Sequence, residues 1–84
     1  MARFVKVATI SMGGAGGPSR GHVERMRERA LELLKRAALE RPDIVCLPEA
    51  FTGLGLPKDE WIKTAEPLPG PTTEALGRAA KKYR

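Results

Sequence analysis

The sequence predicts an α/β fold in which two parallel strands are joined by a crossover helix and followed by a further helix. Three stretches carry that expectation. Residues 3–12 are rich in β-branched side chains and stop at glycine, as a strand does. Residues 22–41 repeat apolar side chains every three or four positions, the period of one helix face. Residues 44–47, Ile-Val-Cys-Leu, are apolar without polar alternation, which suits a strand buried on both faces. The order β, α, β, loop, α brings only two strands, and a strand buried on both faces needs neighbours on each side and helices above and below. The 84 residues therefore read as the front part of a larger domain.

In the first strand Lys6 marks an exposed beginning. The loop 13–19 has the glycine content of a phosphate-binding turn, but its spacing fails twice. A dinucleotide fingerprint begun at Gly14 meets Ser19 where glycine is required, and a P-loop begun at Gly16 reaches Gly21 and then has His22 and Val23 where lysine and a hydroxyl residue belong. It reads as a flexible connection. In the helix, Val23, Met26, Ala30, Leu33, Leu34 and Ala37 form the buried stripe. Ser19 or Gly21 can cap its start, Glu24 suits its first turn, and Arg41 before Pro42 suits its end. Glu32 is spaced to pair with Arg36. His22 reads as an exposed residue with no partner for ligand or base chemistry.

Residues 43–49 are expected to pair in parallel with residues 4–11. Pro48 ends the second strand, because proline holds the preceding residue extended and has no N–H to donate to a ladder. Glu49 then falls beyond the carboxyl end of the strand, where open α/β sheets bind their ligands. Beside Phe51, a partly desolvated carboxylate there would suit a base. Cys46 lies mid-strand and reads as a small buried hydrophobe. Residues 50–57, with Phe51, Leu54 and Leu56 among glycines, form a covering loop, and residues 58–65 a short helix with Trp61 and Ile62 packed inward. Residues 66–71, Glu-Pro-Leu-Pro-Gly-Pro, cannot be helix or central strand. Thr72 can cap a last helix with Glu74 in its first turn and Leu76, Ala79, Ala80 and Tyr83 as its apolar stripe. Gly77 inside it costs about 1 kcal/mol relative to alanine.

Hydrophobic residues at 42% and charged residues at 30% describe a globular chain without low complexity. The net charge of +5, from 15 Lys and Arg against 10 Asp and Glu, raises a small basic nucleic-acid-binding α/β module as the alternative function. The mixing of Glu with Arg along the first helix argues against it, and aromatic residues at 5% leave no stacking platform. One cysteine makes neither an internal disulfide nor a metal cluster, so a reducing compartment is the default. There is no signal-peptide pattern and no run approaching the ~20 apolar residues of a membrane span. Cytoplasmic location, no membrane partner and no nucleic acid are the expectations.

Four stretches together resemble the amino-terminal part of the nitrilase superfamily of carbon-nitrogen hydrolases. They are Val5-Lys6-Val7-Ala8, Ala30-Leu31-Glu32-Leu33-Leu34, Asp43-Ile44-Val45-Cys46-Leu47-Pro48-Glu49-Ala50-Phe51, and Ala65-Glu66-Pro67-Leu68-Pro69-Gly70-Pro71-Thr72. The third is the specific one: an apolar strand ending in Pro-Glu, with an aromatic two residues on, is similar to that family's first catalytic motif. The resemblance implies that residues 1–84 are the N-terminal portion of an α-β-β-α sandwich that hydrolyses nitriles, amides or carbamoyl groups with a glutamate, a lysine and a cysteine. It implies Glu49 as the catalytic general base, Phe51 as a substrate-pocket residue, no cofactor or metal, and homo-oligomeric association of the intact enzyme. The family's lysine and cysteine lie downstream of this signature, so the 84-residue chain alone is expected to be inactive. Lys82-Tyr83-Arg84 echoes the run around the family's lysine but arrives too early, on a helix.

Overall fold

The computed structural model describes residues 4–13 and 21–83. The elements run β1 (Val7–Thr9), α1 (His22–Ala38), β2 (Ile44–Cys46), a 3-10 turn (Phe51–Gly53), α2 (Lys58–Trp61), a second 3-10 turn (Ile62–Thr64) and α3 (Pro71–Tyr83). This is the expected partial α/β fold. The glycine loop and the cap reading of Ser19 fall outside the described residues.

β1 and β2 pair in parallel, with Val7 opposite Ile44, Ala8 opposite Val45 and Thr9 opposite Cys46. The ladder continues past both ends, Asp43 N–H donating to Lys6 O at 2.8 Å and Ile10 N–H to Cys46 O at 2.9 Å. Lys6 locks the entrance: its N–H donates to Asp43 Oδ2 at 2.9 Å and its Nζ to the Glu40 carbonyl at 2.6 Å. Of residues 4–12, only Val7–Thr9 are strand. A ladder is only as long as its shorter partner, and β2 is confined between Pro42 and Pro48.

Gly21 caps α1 at φ 77°, a left-handed conformation that glycine takes without strain. The helix ends at Ala38, and Arg41 turns out of the helical region at φ 52° ahead of Pro42, which excludes an α conformation before it. Glu32 pairs with Arg29 at 3.2 Å, not with Arg36. Met26 and Ala30, each 1% exposed, carry the core, with Ala75 of α3 beside them. Val23, Leu33, Leu34 and Ala37 are half-buried, so the predicted stripe holds. On α3, Leu76 and Ala79 are half-buried while Ala80 and Tyr83 are exposed.

Both helices lie on one side of the sheet. Val45 and Leu47 face an apolar groove of about 290 Å³ that they share with Leu34 and Ala38 of α1 and Leu76 and Ala80 of α3. The other face is bare: Val7, Thr9, Ile44 and Cys46 are exposed. This corrects the expectation that β2 is buried on both faces and that Cys46 is a buried residue. Among the described residues no second layer covers the sheet, so the apolar run of β2 buries only its helix-facing members. The radius of gyration of 14.2 Å exceeds the roughly 12 Å of a compact domain of this length, which fits a single open layer.

Ile62 is also corrected, being exposed, and Trp61 is only partly covered. Trp61 lies against Gly53, and its indole N–H donates to the Leu56 carbonyl at 2.9 Å, so it closes the 51–56 segment without entering the core. Met26→Ala is expected to destabilise the fold by about 2–5 kcal/mol. Ile62→Ser should change stability by no more than about 0.5 kcal/mol. Urea unfolding of the two variants beside the parent checks both.

Candidate functional site

Because the strands are parallel, their carboxyl ends lie at the same edge of the sheet, and the chain leaves β2 there through Leu47 and Pro48. Glu49 follows in a turn. Ala50 takes φ 48°, an uncommon backbone for a residue with a Cβ, and thereby reverses the chain into the 3-10 turn. Gly53 N–H donates back to Ala50 O at 3.0 Å, so the turn is closed by its own backbone.

An open cleft of about 480 Å³ adjoins this turn. Pro48, Ala50, Phe51 and Thr52 form one wall, and Thr64, Glu66, Leu68, Thr72, Thr73 and Leu76 the other. Glu49 is exposed, and among the described residues it makes no hydrogen bond or ion pair. The partial desolvation expected from Phe51 is therefore not supplied by the described residues. Phe51 itself is half-buried on the cleft wall, next to the groups a bound molecule would meet. Phe51 lines the cleft, whereas Glu49 sits between the lining residues Pro48 and Ala50 without lining it itself; Cys46 is left on the bare sheet face.

The far wall is built on a second carboxylate. Glu66 Oε1 accepts from Thr72 N–H at 2.8 Å and Oε2 from Thr72 Oγ1 at 2.6 Å. Arg27 of α1 donates from Nε to Thr72 Oγ1 at 2.9 Å and stands 3.4 Å from Glu66 Oε2. Glu66 thus supplies the capping oxygen at the start of α3, the role that the sequence offers to Thr72. Pro71 occupies the first helical position, where its missing N–H is of no consequence. Gly70 before it admits no side chain, since a Cβ there would stand 2.4 Å from the Pro67 carbonyl. The Thr72 hydroxyl first, then the Thr72 N–H and the Arg27 charge, hold the Glu66 carboxyl below its ordinary pKa.

His22, like Cys46 and Ile62, lies elsewhere than the sequence predicts. It is buried, 2% exposed, and its Nε2 lies 2.6 Å from the Leu54 carbonyl. A carbonyl only accepts, so Nε2 carries the proton. No periodicity announces this, because the partner is 32 residues away. The contact between Arg27 and Glu66, 39 residues apart, is equally invisible to any local pattern. Among the described residues no group of three His, Cys, Asp or Glu could hold a metal ion, and no helix is long and apolar enough to cross a membrane.

A family model described as carbon-nitrogen hydrolase matches residues 6–84. Comparison with curated proteins and with solved structures gives no match.

A depressed native pKa makes the Glu66 contribution to stability complete above the unfolded value of about 4.3 and lost as pH falls through the lower native one. Glu66→Gln is expected to lose about 1 kcal/mol at neutral pH. The gap between variant and parent should shrink as the solution is acidified below pH ~4. Thermal unfolding followed across that pH range reads it directly.

Proposed function

Since the chain belongs to the carbon-nitrogen hydrolase family, we propose that Glu49 is the general base of a thiol-dependent hydrolase acting on nitrile, amide or carbamoyl substrates. The observation that carries this reading is the place of Glu49 on the first turn beyond β2, flanked by two residues, Pro48 and Ala50, that line the cleft at the strand ends. Open α/β sheets bind ligands at that edge. Phe51 lends the cleft an apolar wall against which an organic substrate can rest.

In the reaction, Glu49 takes the proton of a cysteine thiol, and the thiolate sulfur attacks the carbon of the C–N bond. For an amide, the nitrogen leaves as ammonia or amine with the proton that Glu49 returns, and a thioester remains. Water, deprotonated by Glu49, attacks the thioester carbon; the carboxylic acid departs and the thiol is restored. A nitrile passes through a thioimidate that takes up one water in losing ammonia before the same final step. The cysteine and the lysine of this chemistry come from outside the 84 residues. Cys46, on the exposed sheet face, takes no part.

Two outcomes follow. The isolated 84-residue chain should release no ammonia from amides or nitriles, and Cys46→Ala should change nothing; turnover removed by Cys46→Ala would overturn the assignment. In a domain carrying these residues together with the family's lysine and cysteine, Glu49→Gln should lower kcat by ~100-fold to 10,000-fold, the usual contribution of a positioned acid-base group, with little change in melting temperature. Turnover per folded molecule within a few-fold of the parent would remove Glu49 from the mechanism.

A further inference from the structure

We infer that His22 is a positioning residue for Glu49, acting through the Leu54 carbonyl; this rests on the reading of Glu49 as the base. A fully buried imidazole at a helix start is an expensive way to fill space, and an apolar ring would serve the core equally. Its hydrogen bond from Nε2–H to Leu54 O at 2.6 Å leads out of α1 and into the segment that follows Glu49.

That segment behaves as one hydrogen-bonded unit. Gly53 N–H reaches Ala50 O, Leu54 N–H reaches Phe51 O at 3.3 Å, and Leu56 N–H reaches Gly53 O at 3.1 Å. Trp61 Nε1 closes the far end on Leu56 O. The unit begins at Ala50, the residue peptide-bonded to Glu49, and Ala50 is held at positive φ. Between Pro48, leaving the sheet, and Leu54, tethered to α1, the backbone of Glu49 has both its approaches fixed. α1 is itself seated by Met26 and Ala30, so the His22 tether refers the turn to the core. A base must stand within ~3 Å of the atom whose proton it takes, and a misplacement of about 1 Å can cost about 100-fold in rate.

The test compares His22→Phe, His22→Gln and Glu49→Gln in the domain that carries these residues with the family's lysine and cysteine, scoring kcat and KM per folded molecule. His22→Phe keeps a buried ring and loses the donor; the Gln amide nitrogen replaces the Nε2–H donor. His22→Phe should lower kcat by about 10-fold to 100-fold with KM within a few-fold, and His22→Gln should return kcat to within a few-fold of the parent. Parent-like kcat in His22→Phe, with only the folded fraction reduced, overturns the inference. So does a kcat as low in His22→Gln as in His22→Phe. Should His22→Phe fail to fold, His22→Asn, whose donor is too short to reach Leu54, takes its place: a lowered kcat supports the inference and a parent-like kcat overturns it. Full activity in Glu49→Gln overturns the assignment of the base itself, whereas an inactive Glu49→Gln beside a fully active His22→Phe overturns only the role of His22.

Discussion

Two strands of three residues each lie parallel, and everything else in the molecule answers to that arrangement. Parallel neighbours cannot be joined by a tight turn; the chain must travel the length of the sheet and return, which is why α1 intervenes. The return also brings both strand exits to one edge. The residue that follows β2 is thereby delivered to a place where backbone from several connections converges.

α1 does more than cross. Its middle buries Met26 and Ala30, while its first turns send out two polar side chains in different directions, His22 to the segment behind Glu49 and Arg27 to the start of α3. One rigid helix therefore holds both walls of the cleft. The connection 65–70 adds little packing of its own, and its shape is set by Glu66 reaching Thr72 and by Gly70 passing close under Pro67. Polar contacts between distant segments do the work that a larger core would do elsewhere, since only a few side chains among the described residues are fully buried.

What could be read from the sequence was what depends on local order. The helical period of α1, the stop at Pro48 and the position of Glu49 at the strand exit follow from neighbours within a few residues, and the parallel pairing from the strand–helix–strand order. What could not be read depends on partners far along the chain. His22 looked exposed because its partner, the Leu54 carbonyl, comes 32 residues later, and the contact between Arg27 and Glu66 spans 39 residues. The errors at Cys46 and Ile62 have a different origin. Both were placed inward from hydrophobicity, and hydrophobicity says that a side chain gains from cover without saying that cover is present.

The bare face of the sheet has a colloidal consequence. Val7 and Ile44 stand exposed beside one another on paired strands, and the outer edge of each strand offers unpaired N–H and C=O groups among the described residues, a combination that invites copies of the chain to stack and pair. The force opposing this is the mutual repulsion of molecules that each carry a net charge of +5. That repulsion is screened over about 10 Å at 0.1 M salt and over about 3 Å at 1 M, whereas the apolar attraction is not screened at all. Dissolved ions therefore set how closely two of these molecules can approach.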